Sequence, residues 1–160
     1  GLGNGYPGTA MVVREEIIEK LELISASSSY GGNPVACAAA VASIQVIEDE
    51  RLAERAAEMG ALILGRLREI QERHPVIGDV RGRGLLLGME CVKDRETREP
   101  HTEAGQRIYQ KAFEKGLAWI PAGHNLRMSP PLVMERREAE IALDIIDAAI
   151  GETEREFGIT

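Results

Sequence analysis

No regular element can run through Gly31-Gly32-Asn33-Pro34, and the chain is organised around that break. Two glycines let the backbone approach a neighbour closely, and proline pushes the residue before it out of the helical region. Asn is a preferred helix N-cap and Pro is pre-set for the first helical position, so a helix should open at Pro34. It continues through the small residues Val35-Ala36-Cys37-Ala38-Ala39-Ala40 without a breaker to Glu48. Three hydroxyls, on Ser28, Ser29 and Tyr30, stand just upstream of the helix N–H groups, a place suited to an anion such as a phosphate. Alone, the tetrapeptide reads first as a plain loop-to-helix junction.

At 160 residues the chain is long enough to bury a real core, either as one domain or as part of a larger protein. Its 44% apolar and 28% charged residues are those of a globular protein. The net charge of −7 comes from interleaved acids and bases, which argues against a nucleic-acid surface. Cys37 and Cys91 have no partner at ligand spacing, so neither a metal site nor a disulfide framework is indicated, and a reduced, cytoplasmic setting is the expectation. No apolar run reaches the length of a membrane span. Gly1 reads as an internal residue of a longer protein.

Taken in order, residues 1–8 are a glycine-rich loop, 9–13 read as a short buried strand, and 15–23 as a short helix led by acids. The helix from Pro34 is apolar on more than one face and is expected to be buried between layers. A second helix carries Leu52, Ala56, Met59, Ile63, Leu67 and Ile70, and His74-Pro75 ends it. Residues 76–92 alternate and read as two strands meeting near Arg81-Gly82-Arg83-Gly84, with the arginines in structural ion pairs or over a domain interface. The glycine spacing there is wrong for a dinucleotide loop. A charged turn leads to a helix from Thr102, the expected cap, to Lys115-Gly116. Strands follow at 117–121 and 125–129, and a last helix runs from Met134-Glu135 toward Phe157 with Ile141, Ile145 and Ala148 inward. From Val76 on this is an α+β layer, an antiparallel sheet with helices on one side.

Three motifs in order, Gly1-Leu2-Gly3-Asn4-Gly5-Tyr6-Pro7, Val80-Arg81-Gly82-Arg83-Gly84-Leu85-Leu86-Leu87-Gly88 and Leu126-Arg127-Met128-Ser129-Pro130-Pro131-Leu132, join the Gly31–Pro34 break. Together they resemble the C-terminal portion of the class III (omega-type) aminotransferases, pyridoxal-phosphate enzymes of fold type I. The resemblance implies an α/β fold in which residues 1–33 are the end of the large cofactor-binding domain, 34–50 an interdomain helix, and 51–160 the small α+β domain. It implies a homodimer, small amine or amino-acid and 2-oxo-acid substrates, and a Schiff-base lysine immediately before Gly1. Gly8 and Thr9 depart from the family's usual aliphatic and small residues, which implies a looser loop.

The lysines present, Lys20, Lys93, Lys111 and Lys115, lie on helices or in a charged turn, so no catalytic residue is expected within this chain and the fragment alone should be inactive. The resemblance makes Ser29 and Tyr30 contacts to the cofactor phosphate of the neighbouring subunit. Arg127 alternates to the face opposite Leu126 and Met128, and its planar fork suits a carboxylate. The bland alternative is an ion pair with Glu135. In the family an arginine so placed binds the substrate carboxylate. His74, His101 and His124 share no ligand spacing and are expected at exposed turns. The same motifs serve racemases and aminomutases, and a non-catalytic interaction module is the reading from another class.

Overall fold

A computed structural model describes residues 1–20, 29–120 and 123–159. The chain divides into two compact units, Gly1–Arg51 and Leu52–Thr160.

The first unit carries α1 (Glu15–Ile18) and α2 (Pro34–Asp49). Asn33 caps α2 as the sequence requires, its Oδ1 accepting from the N–H groups of Val35 at 3.0 Å and Ala36 at 3.2 Å. Residues 9–13 are not a buried strand. Met11 is 81% and Val12 93% exposed, and no strand among the described residues pairs with them. An extended segment without a ladder partner gains nothing from β geometry. The short helix expected over 15–23 is seen as α1, and residues 21–23 lie outside the described residues, as do Ser27 and Ser28. The burial expected of α2 is not found either. Only Ala36 is buried, while Val35, Val41, Ile44, Val46 and Ile47 are exposed, because apolar residues spread round a helix cannot all be covered from one side.

The second unit is α3 (Leu52–Arg73), β1 (Ile77–Arg83), β2 (Leu86–Cys91), α4 (Thr102–Glu114), β3 (Asn125–Met128) and α5 (Arg136–Phe157). The three strands form one antiparallel sheet in the order β1-β2-β3. Their inner face, Val80, Leu87, Met89, Cys91, Leu126 and Met128, is buried. Helices α3 and α4 lie on it, and α5 packs on both of them. The expected one-sided layer is present.

Several expectations need correction. Residues 117–120 form no strand of the sheet; Ile120 makes one isolated bridge to Arg127, and Pro121 lies outside the described residues. His101, not Thr102, caps α4, accepting from the Ala104 N–H at 3.4 Å, because its own N–H is already fixed to the Cys91 carbonyl at 2.9 Å. On α5 the inner stripe is Ala139, Leu143, Ile146, Ala149 and Ile150, whereas Ile141 and Ala148 are exposed and Ile145 is partly buried. Adjacent Ile145 and Ile146 permit two stripes, and the packing against α3 and α4 selects one.

Two helices meet the sheet's turns backbone to backbone. A Cβ on Gly60 of α3 would overlap the carbonyl of Gly84 in the β1–β2 turn. A Cβ on Gly105 of α4 would overlap that of Gly123, just ahead of β3. No larger residue fits either contact without displacing backbone.

Cys91 is fully buried, and burial above all, with the nearby charges of Glu90 and Glu154, pushes its thiol up to about 12. The folded state therefore keeps a proton that the unfolded chain releases near pH 8.5, so this group's contribution to stability falls as pH rises through that value. Iodoacetamide at pH 8.5 should leave Cys91 unmodified in the folded protein and alkylate it fully in denaturant, as read by peptide mass mapping.

Candidate functional site

The loop before α2 brings together the residues expected to meet a phosphate. Ser29 and Tyr30 are both exposed, and the Tyr30 carbonyl accepts from the Asn33 N–H at 3.2 Å. Gly32 has φ +68°, which turns the chain into the cap. The loop shares a cleft of about 1090 Å³ with the glycine-rich segment, including Gly1, Gly5, Tyr6 and Pro7. One part of the sequence reading fails here. The N–H groups at the start of α2 are not free: Pro34 has none, Val35 and Ala36 donate to Asn33 Oδ1, and Cys37 donates to the Asn33 carbonyl at 3.0 Å. The helix end therefore offers no free N–H to an anion; of the two loop hydroxyl residues Tyr30 lines the cleft, and Ser29 is not in its wall.

In the second unit the outer face of the sheet is polar. Arg81, Gly88 and Arg127 lie opposite one another across β1, β2 and β3. Gly88 leaves open space between the two arginines, since a Cβ there would meet nothing closer than the Leu126 carbonyl at 3.9 Å. The arginines differ in what they hold. Arg81 donates to Asp79 at 2.6 Å and to Asn125 at 3.3 Å, and lies 3.6 Å from Glu90. The hydrogen bond it donates to Asp79 holds its pKa above the ordinary value, with the charge of Glu90 adding to it. That is the structural ion pair expected of it. Arg127 is exposed and makes no ion pair or side-chain hydrogen bond, with Glu135 or any other acid, among the described residues. Glu135 is occupied at the start of α5, in a capping box with Glu138.

Arg127 also lines a cavity of about 230 Å³ with Trp119, Ser129 and Pro131, walled by apolar residues such as Leu87 and Ile146. The indole N–H of Trp119 is buried there without a partner among the described residues.

None of the histidines is fully exposed, although His124 does lie in a turn. His74 lies between two carboxylates, Nδ1 to Glu154 at 2.6 Å and Nε2 to Asp147 at 2.7 Å, and its side chain is only 12% exposed. His101 and His124 are half-buried. The sequence gives no spacing that pairs His74 with acids more than 70 residues away. All four lysines are accounted for without a ligand: Lys93 pairs with Glu99, the largely covered Lys111 with Glu156, Lys115 with Glu152, and Lys20 is exposed.

The family described as "Aminotransferase class-III" matches residues 1–150. This chain belongs to the class III aminotransferases. The leucine/methionine racemase of Thermococcus litoralis is 39% identical over 96% of the chain and 35% of its own length. The mitochondrial alanine–glyoxylate aminotransferase 2 homolog 2 of Arabidopsis thaliana is 37% identical over 92% of the chain and 31% of its own length. Among solved structures, a PLP-bound amine transaminase from an uncultivated Pseudomonas species superposes with a TM-score of 0.78 at 36% identity, covering 82% of this chain and 30% of that one. The class III chain therefore spans about a third of the curated relatives it matches. Its fold is that of the fold type I pyridoxal-phosphate transferases.

The family's cofactor is pyridoxal phosphate, which when bound supplies an electron sink for the amino-acid carbon. The residues present suit part of it. Hydroxyls at Ser29 and Tyr30 in a glycine-turned loop can donate to a phosphate, whereas each lysine of the chain is either paired with a carboxylate or exposed. Because Asn33 already saturates the helix end, Asn33→Ala should cost about 1 kcal/mol of stability, read as a lower denaturant midpoint, and Asn33→Asp should cost far less.

Proposed function

We propose that the complete protein is a pyridoxal-phosphate aminotransferase that moves an amino group between an amine or amino acid and a 2-oxo acid. The observation that carries the reading is Arg127, a guanidinium exposed on the outer face of the sheet with no acid partner among the described residues. An arginine held on a strand and left without a counter-ion is suited to a carboxylate that arrives from outside, and its fork binds both oxygens. Arg127 is accordingly assigned to the carboxylate of the amino acid or of the 2-oxo-acid acceptor. Ser29 and Tyr30 are assigned to the phosphate of the neighbouring subunit's cofactor, which makes the enzyme a homodimer, working in the reduced cytoplasm. In this reading residues 1–33 complete a large cofactor-binding domain, 34–50 connect, and 51–160 form the small domain. The Schiff-base lysine belongs to the remainder of the same polypeptide.

A second reading has its own support, the 39% identity to a protein named leucine/methionine racemase. The two differ in what the reaction consumes. With a single L-amino acid and no oxo acid, a racemase abolishes optical rotation over many turnovers; an aminotransferase stops until a 2-oxo acid is added. Sustained loss of rotation without an acceptor would replace the first reading by the second.

Ser29→Ala in the complete enzyme should weaken cofactor retention about tenfold, the loss of one charge-assisted bond, while Ser29→Thr should retain it. Equilibrium dialysis against pyridoxal phosphate reads both; unchanged affinity in both variants would make Ser29 a loop residue only.

Arg127→Lys keeps the charge and loses the fork. The half-reaction with a carboxylate-bearing oxo acid should slow by about tenfold to a hundredfold, and that with a simple amine much less. Equal losses in the two half-reactions would withdraw the substrate role.

A further inference from the structure

The placement of Arg127 depends on a contact that no functional residue makes. Strand β3 is four residues long, and Arg127 stands three residues after His124. The turn ahead of it is held from two sides. On one side, the His124 carbonyl accepts from the Cys91 N–H at 2.7 Å, and Cys91 is the last residue of the central strand. On the other, Gly123, at φ +63°, lies directly on the first turn of α4, where its carbonyl oxygen occupies the space of a Cβ on Gly105. The His124 Cα lies 3.0 Å and the Gly123 carbonyl carbon 3.1 Å from that same point. Helix α4 cannot retreat, because the His101 N–H at its start is bonded to the Cys91 carbonyl at 2.9 Å, and Ala104 and Ile108 behind it are fully buried. Cys91 thus fixes both the helix and the turn, and the missing side chain at position 105 sets the distance between them.

We infer that Gly105 is a positioning residue for Arg127: by letting α4 touch the 123–124 turn, it sets where β3 starts and so where the guanidinium is presented. The inference rests on the assignment of Arg127 to the substrate carboxylate. A side chain at 105 must push the turn outward by about 1 Å to reach ordinary contact distance. The hydrogen bond from the Cys91 N–H to the His124 carbonyl resists that movement, so the strain passes along β3, which among the described residues is held by four pairs to β2 and a single bridge from Arg127 to Ile120. Misplacement on that scale is enough to weaken a bidentate contact severely.

The test is Gly105→Ala in the complete enzyme, with the two half-reactions measured separately. The KM for a 2-oxo acid should rise about tenfold or more, while the half-reaction with a simple amine stays within about twofold. Gly60→Ala is the matched control, since it creates the same overlap with a different turn, at Gly84. It should lower the melting temperature without changing the ratio of the two half-reactions. Gly123→Ala disturbs the same turn more gently, meeting Thr102 Cγ2 at an ordinary 3.7 Å while keeping a positive φ, and should give the same selectivity at smaller size. It decides the question where Gly105→Ala yields no folded enzyme. The inference is overturned if the folded variants at 105 or 123 leave the ratio unchanged, or if Gly60→Ala changes it equally. If Arg127→Lys itself slows both half-reactions alike, what fails is the assignment of Arg127, and the positioning role goes with it.

Discussion

The second unit depends on one carboxylate. Glu154, near the end of the last helix, accepts from the Val76 N–H at 3.1 Å and meets His74 Nδ1 at 2.6 Å. Asp147, two turns earlier, holds the other ring nitrogen and also pairs with Arg73 at 2.8 Å. Residues 73–76 are where α3 stops and the sheet is about to begin, so this cluster fixes the path between them against α5. A carboxylate that is 8% exposed is tolerable only with its donors in place, and a backbone N–H buried at a helix-to-strand junction needs an acceptor. Each requirement meets the other. The cost of burying the cluster is offset by joining parts of the chain nearly 80 residues apart, which fixes the first strand and, through its ladder, the other two.

With all three helices on the inner face, the outer face of the sheet is left to polar groups, and its charges are distributed unevenly. Glu90, on the central strand, lies 3.6 Å from Arg81, 3.7 Å from Arg98 and 3.7 Å from His124. Arg81 is shared further with Asp79 and Asn125. These groups satisfy one another, so none needs a ligand. Arg127 sits across Gly88 from that network, which reaches β3 at Asn125, and Arg127 makes no ion pair with it among the described residues.

The two units also differ in how they are held. Every member of the hydrophobic core comes from Ala56 onward, a closed set that the sheet and its helices supply. The first unit has a capped helix and glycine-rich loops, but its large apolar side chains, Met11, Val12, Val41 and Ile44 among them, are exposed. Local signals such as the Asn33 cap form without a core, because their partners are two and three residues away. A strand does not, because its partners are distant. This is why the same sequence reading succeeds at Pro34 and fails at 9–13.

The same distinction governs what was legible elsewhere. The α3 stripe, the β1–β2 hairpin, the α4 exit at Lys115-Gly116 and the outward alternation of Arg127 follow from periodicity or from turn chemistry within a few residues. The stripe of α5 differs from the one expected because Ile145 and Ile146 satisfy the helical period equally well, and only contact with other helices separates them. Local pattern places His74 at an exposed turn, whereas its partners lie in the last helix, and no local pattern carries that distance. Gly60 and Gly105 carry a signal in the sequence itself. Each is an isolated glycine inside a helical pattern, where it costs about 1 kcal/mol relative to alanine. That cost is offset by the close approach of a turn's backbone, Gly84 in one case and Gly123 in the other, so a glycine that weakens the helix marks where the helix meets something that no side chain can touch.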